Sequence, residues 1–254
     1  MLLFALLACD HTLTNAEARE ALEEAVASAK AEAVTGGVVE LATGVTLGAA
    51  VEDAAEELRA FAASQVPCST VTRVGATVTI DFGALEDACT WNGHTYAGVA
   101  TVIVEANTDA VEVTHLWEGL TNGEVTVDGG ATVTWSDASR RVVHDVTWTD
   151  GERTVQAGGD RTQRLLDPDA GIAGGIVVDG ERHWVTDGEG WDLAIEGVEM
   201  RGQDPVPQAG VYTVTTPAGK RAVLSFARLD DDTIEVTLTG TRRPQTFEVT
   251  STAE

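Results

Sequence analysis

The sequence predicts an α+β protein in which an N-terminal helical hairpin packs on a large curved antiparallel β-sheet. Three observations carry that expectation. Apolar residues recur at three- and four-residue steps up to residue 66, then change to a two-residue period from Cys68 onward. Asn-Gly or Asp-Gly pairs punctuate the second region at 92–93, 122–123, 150–151, 179–180 and 187–188, and such pairs supply the positive φ angles that tight hairpins need. No helical pattern of useful length interrupts the strand-like runs, so parallel crossovers are not expected.

The elements follow in order. Residues 1–9 read as a short signal ending in a lipobox, 10–67 as the helical hairpin and 68–254 as the β-domain. The opening run Met1-Leu-Leu-Phe-Ala-Leu-Leu-Ala-Cys9 is apolar and ends on small residues, in the manner of a secretory signal. Its last four residues have the form of a bacterial lipobox, which would make Cys9 the lipid-bearing mature N-terminus. Leu7 is larger than usual there, and no Lys or Arg precedes the run. Eight apolar residues are too few to span a bilayer, which needs about 20.

With Cys9 assigned to lipid, Cys68 and Cys89 remain, and an oxidising compartment would pair them. The bridge would close a loop of about 21 residues, a stabilisation of roughly 3 kcal/mol in the chain-entropy model. The competing use, a metal site, lacks a Cys-x-x-Cys or a nearby pair of histidines.

Thr14-Asn-Ala-Glu17 has the spacing of a capping box. Leu22, Val26, Ala29 and Ala33 then mark one apolar stripe, and Gly36-Gly37 is expected to stop the helix. A second helix is predicted from about Leu47, with Val51, Ala54, Leu58 and Phe61 on one face and Pro67 beyond its end.

In the β-region Val78, Ile80 and Phe82 alternate with polar neighbours, and similar alternation recurs near 98–106, 109–118, 124–135, 140–149, 175–186, 190–200, 210–216, 221–229, 233–239 and 245–251. About ten to twelve strands result, forming a half-barrel or an open meander. A strict two-residue turn at Asn122-Gly123 would set Trp117 opposite Asp128. The apolar pattern instead puts Val113 and Trp117 on the face of Val125, Val127 and Val133. A bulge or odd-length loop is therefore predicted, with Asp128-Gly129-Gly130 as its expected place.

Forty-one acidic against 16 basic residues give a net charge of −25. No basic segment stands out, which argues against nucleic-acid binding and against docking on anionic lipid. An outer-membrane barrel would need aromatic girdles, and aromatic residues make up only 5% of the chain.

No nucleophile elbow, zinc helix, phosphate loop or dinucleotide fingerprint occurs, so no catalytic residue, cofactor or metal site is assigned. The acidic turns Asp167-Pro-Asp169 and Asp230-Asp-Asp232 lack the length and ligand order of a calcium-binding hand. His115 shares a strand face with Trp117, and His144 shares one with Trp148. Glu112 and Asp145 have the opposite parity and should point away from these histidines. All six tryptophans lie in the β-region. Trp117, Trp135 and Trp148, with His115 and His144, are the candidate ligand-binding residues, core filling being the plainer use of the indoles. Arg140-Arg141 follow Trp135 across a short turn, which suggests a cation–π contact.

Longer segments add a resemblance. Ala50-Val-Glu-Asp-Ala-Ala-Glu-Glu-Leu-Arg59, Gln65-Val-Pro-Cys68, Thr79-Ile-Asp-Phe-Gly83, Cys89-Thr-Trp-Asn-Gly93, His115-Leu-Trp117, Arg141-Val-Val-His144 and Gly159-Asp-Arg-Thr-Gln163 resemble uncharacterised secreted lipoproteins of the myxobacterial type. The resemblance implies an envelope address and carries no assigned activity. The expectation is a non-catalytic lipoprotein held at the cell envelope through Cys9, with a structural or binding role. Its alternative is a carrier or binding module that takes a lipid, another apolar ligand or a glycan on the concave, Trp-bearing face of the sheet.

Overall fold

A computed structural model describes residues 12–43, 51–87, 89–91, 93–106, 111–136, 139–201 and 204–251. The lipobox and Cys9 lie outside the described residues. Among the described residues two α-helices, α1 (Asn15–Thr43) and α2 (Val51–Gln65), precede fourteen strands. These are β1 (Thr70–Val74), β2 (Thr77–Asp81), β3 (Cys89–Trp91), β4 (His94–Ala106), β5 (Val111–Thr121), β6 (Thr126–Ser136) and β7 (Ser139–Thr149). β8 (Thr154–Leu165), β9 (Ile176–Thr186), β10 (Glu189–Met200), β11 (Ala209–Thr215), β12 (Arg221–Arg228), β13 (Thr233–Thr239) and β14 (Gln245–Thr250) follow. All pair antiparallel in one open meander, with β3 paired to β4 beside the main path.

The count exceeds the expected ten to twelve. β1 and β3 are short, and β8 was hidden by its composition. The inward positions of β8 include Gly159, Arg161 and Gln163, so it lacks apolar alternation. A Cβ on Gly159 would stand 2.5 Å from His144 Cε1, so glycine is what lets the neighbouring ring lie against this strand.

The capping box forms as predicted. Thr14 N–H donates to Glu17 Oε2 at 2.7 Å, and Glu17 N–H donates to Thr14 Oγ1 at 3.2 Å. Two helical expectations fail. Gly36-Gly37 does not end α1, which runs to Thr43. Gly37 instead permits close approach, since a Cβ there would sit 2.5 Å from Tyr96 Oη. The buried stripe is also not the predicted one. Ala18, Ala21, Ser28, Ala31, Val34, Val38 and Leu41 face inward, while Val26 is 57% exposed. Small side chains give α1 a flat face that fits closely on a sheet. On α2, Ala54, Ala55, Leu58 and Ala62 are buried, as is Val66 just past its end, and Phe61 lies at the margin.

Each helix packs chiefly on the sheet. α1 touches β5, β6, β11 and β12, and α2 touches β1, β2 and β4. Residues of both helices and of strands from β2 to β13 share one core. Cys68 and Cys89 are disulfide-bonded, tying the segment after α2 to β3.

The register around Trp117 needs a bulge, as expected, but on the other strand. Trp117 pairs with Gly129 and Leu120 with Val127, so the extra residue lies at Glu118–Gly119 in β5, not at Asp128-Gly129-Gly130. Gly119 takes φ 56°, and its N–H donates to Asp128 Oδ1 at 2.7 Å. Val113, Trp117, Val125, Val127 and Val133 then share the buried face. Asp179-Gly180, expected as a turn, lies inside β9 opposite the bulge of β10.

Candidate functional site

The inner face of the sheet is where the chain concentrates polar chemistry under cover. β7, β8 and β9 are neighbours, and each sends one arginine inward: Arg140, Arg161 and Arg182. A cation placed between a helix and a sheet must find an anion. α1 supplies it. Glu32 Oε2 accepts from Arg182 Nη1 at 2.7 Å, and its Oε1 lies 3.0 Å from Arg161 Nη1 and 3.8 Å from His144 Nε2. Glu40 pairs with Arg140, whose Nε donates to Gln163 Oε1 at 2.5 Å. Glu24 pairs with Arg153 and accepts from Trp184 Nε1 at 3.1 Å. Near the start of α1, Lys220 Nζ donates to Glu17 at 2.7 Å. Four carboxylates of one helix thus dock it obliquely across the strands.

The centre of this ionic seam is the most desolvated part. Side-chain exposure is 8% for both Arg182 and His144, and 19% for Glu32. Burial lowers the His144 pKa to about 4, opposed by Glu32 and reinforced by Arg161, Arg182 and His183. His115 is wholly buried, and burial together with Arg140 lowers it to about 4 as well. Both rings are therefore neutral at pH 7. Among the described residues, His144 Nδ1, Arg161 Nε, Arg182 Nε and both His115 nitrogens have no hydrogen-bond partner.

All five predicted ligand-binding residues lie on this face. His115 stacks on Trp117 with ring centroids 6.1 Å apart. His144 and Trp117 both border a cavity of about 70 Å³ beneath α1, which Glu32, Glu40, Arg140 and Arg161 also line. Trp148 is 1% exposed, and Arg153 lies 5.5 Å over its ring, which is the cation–π contact that the structure records. Trp135 is half-buried and sits opposite Arg140 in the β6–β7 register. Trp184 and Trp191, not singled out from the sequence, stack in parallel across β9 and β10 at 6.3 Å.

A larger space opens at the edge of α1. This cleft has a volume of about 360 Å³, with walls of Leu22, Val26, Ala27, Val125 and Trp148. Arg19, Glu23, Lys30, Glu124 and Asp150 ring its mouth, with Lys30 and Glu124 paired at 3.4 Å. Val26 leaves the core because it forms a wall of this cleft.

Sequence reasoning missed Glu32 altogether. The parity argument against Glu112 and Asp145 holds for the strands, but the carboxylate beside His144 arrives from a helix more than a hundred residues away in the chain. Three arginines at inward strand positions were the available signal. The acidic turns act locally: Asp167 Oδ1 accepts from Asp169 N–H at 2.9 Å, and Asp230 Oδ1 from Asp232 N–H at 3.0 Å. Among the described residues no group of three His, Cys, Asp or Glu is placed to hold a metal ion, and no helix is long and apolar enough to cross a membrane. No protein-family model matches the chain, nor does any curated protein or solved structure.

Proposed function

We propose that the protein is a non-catalytic, lipid-anchored envelope protein that binds an apolar ligand in the cleft between α1 and Trp148. The observation that carries this reading is the cleft itself. Its volume of about 360 Å³ falls within the range of small-molecule sites, roughly 300–1,000 Å³, and its walls are apolar with charges confined to the rim. The anchor at Cys9 is the expectation from the lipobox.

The ionic seam supports a structural use of its histidine and carboxylate. Two guanidinium groups already engage Glu32, and the adjoining 70 Å³ space has room for about two waters at roughly 30 Å³ each, not for a substrate. A ligand on the Trp-bearing face itself is disfavoured because α1 occupies that face. Glycan stacking gains no support either. Trp117, Trp148, Trp184 and Trp191 are at most 4% exposed, and Trp91 and Trp135 are half-buried.

Titration with N-phenyl-1-naphthylamine, a small apolar fluorophore, tests the proposal. Saturable enhancement at a single site is expected. Val26→Glu places a carboxylate in the wall without touching the core, and should weaken binding by about tenfold or more. Absence of saturable enhancement, or equal binding by the variant, would refute the reading.

A further inference from the structure

The net charge of −25 conceals an uneven rim. We propose that the turns joining β11 to β12 and β13 to β14 form a basic footprint that rests on anionic lipid headgroups. The orientation this implies rests on the anchor reading above, whereas the footprint stands on its own charges.

In an antiparallel meander the turns after β5, β7, β9, β11 and β13 share one end of the sheet. From β5 to β10 that end is acidic, with Glu124, Asp150, Glu152, Asp187 and Glu189. Its Arg153 is consumed by Glu24 and Asp150. From β11 to β14 the sign reverses, with Lys220, Arg221, Arg242 and Arg243. The two basic turns lie side by side, because Gly240 packs against the backbone carbonyl of Arg221. Lys220 is bound to Glu17. Arg221, Arg242 and Arg243 are exposed, and among the described residues their guanidinium groups have no ion-pair partner.

The same turn receives the incoming chain. Leu13 N–H donates to Gly240 O at 2.9 Å, and Leu13 bridges Thr241 in parallel. Cys9 is four residues earlier, within about 14 Å of extended chain. An acyl group there would bring this corner to the bilayer. The acidic sector begins at the β9–β10 turn, about two strand spacings or roughly 10 Å from the β11–β12 turn, and about four spacings or roughly 19 Å from the β13–β14 turn that carries Arg242 and Arg243. With a Debye length of about 8 Å at physiological salt, its repulsion is screened most completely at Arg242 and Arg243.

The test uses the full chain carrying Cys9→Ala, which removes acylation while keeping every other membrane contact. Co-sedimentation is measured with vesicles of phosphatidylcholine alone and of phosphatidylcholine mixed with phosphatidylglycerol. Preference for the anionic vesicles is expected, weakening as salt is raised. It should fall about fivefold for each cation removed, and vanish in R221Q/R242Q/R243Q with the circular dichroism spectrum unchanged. Equal binding to the two vesicle types, or an undiminished preference in the triple variant, overturns the footprint. The anchor is read separately from the mass of the N-terminal peptide of the unmutated chain expressed in a bacterial host. An unacylated Cys9 with vesicle preference intact refutes the anchor alone. An acylated Cys9 without preference refutes the footprint alone.

Discussion

Glu32→Gln perturbs the seam between α1 and the sheet at its driest point. The carboxylate stands 2.7 Å from Arg182 and 3.0 Å from Arg161, and only 8% of the Arg182 side chain is exposed. Neutralising it leaves two inward guanidinium groups with one negative charge fewer. An ion pair open to water is worth about 0–1 kcal/mol, whereas removing one partner of a buried pair costs about 3–5 kcal/mol. Glu32 keeps some contact with solvent, so a loss near the lower end, about 3 kcal/mol, is expected. Urea unfolding followed by tryptophan emission measures it directly, because Trp148 and Trp184 lie in the same interface and are buried. The midpoint should fall without a change in slope. Glu23→Gln, on the exposed face of the same helix, should stay within about 0.5 kcal/mol of the unmutated protein. A Glu32→Gln loss below about 1 kcal/mol would refute the view that this seam is desolvated and holds α1 down.

Other outcomes follow from the same geometry. His115 and His144 are lowered to about 4 by burial, while the unfolded chain takes up these protons near pH 6.5. Between those values the unfolded state binds more protons, so stability falls as pH drops from 6.5 to 4, by up to about 3 kcal/mol for His115; His115→Leu should flatten that limb of the stability–pH curve, and an unchanged limb would count against its burial. Gly37→Ala should destabilise the protein despite a helix-propensity gain of about 0.5–1 kcal/mol, because the added Cβ meets the buried Tyr96 hydroxyl at 2.5 Å; a raised melting temperature would show that α1 does not approach β4 this closely. Reducing Cys68–Cys89, which closes 21 positions, should cost roughly 3 kcal/mol in urea titrations with and without dithiothreitol.

Local chemistry made much of the fold legible. The Thr14–Glu17 capping box and most strands follow from spacing and alternation over a few residues, and the Cys68–Cys89 bridge from counting the cysteines once Cys9 is set aside. The illegible parts share one cause. α1 buries Ala18, Ala21, Ser28 and Ala31, while its more apolar Val26 lines the cleft, so a hydrophobicity pattern selects the wrong face. β8 turns Gly159, Arg161 and Gln163 inward because the helix above it brings Glu32 and Glu40. Helix and strand are each anomalous alone and become consistent only when paired, at a separation of 150 residues between Glu32 and Arg182. Gly36-Gly37 misled for the same reason, since Gly37 answers to Tyr96 across the interface. The candidate residues His115, Trp117, His144 and Trp148 were found by shared parity. Their covering helix, and the cleft at its edge, depended on tertiary placement that no local pattern encodes.

The most direct measurement is an indole-selective NMR titration with N-phenyl-1-naphthylamine. Trp148 lines the cleft, whereas Trp191 stacks on Trp184 away from it. Saturating ligand is expected to move the Trp148 indole resonance and leave that of Trp191 in place. A ligand-independent Trp148 resonance, or equal displacement of all six indoles, would contradict a binding site in the cleft.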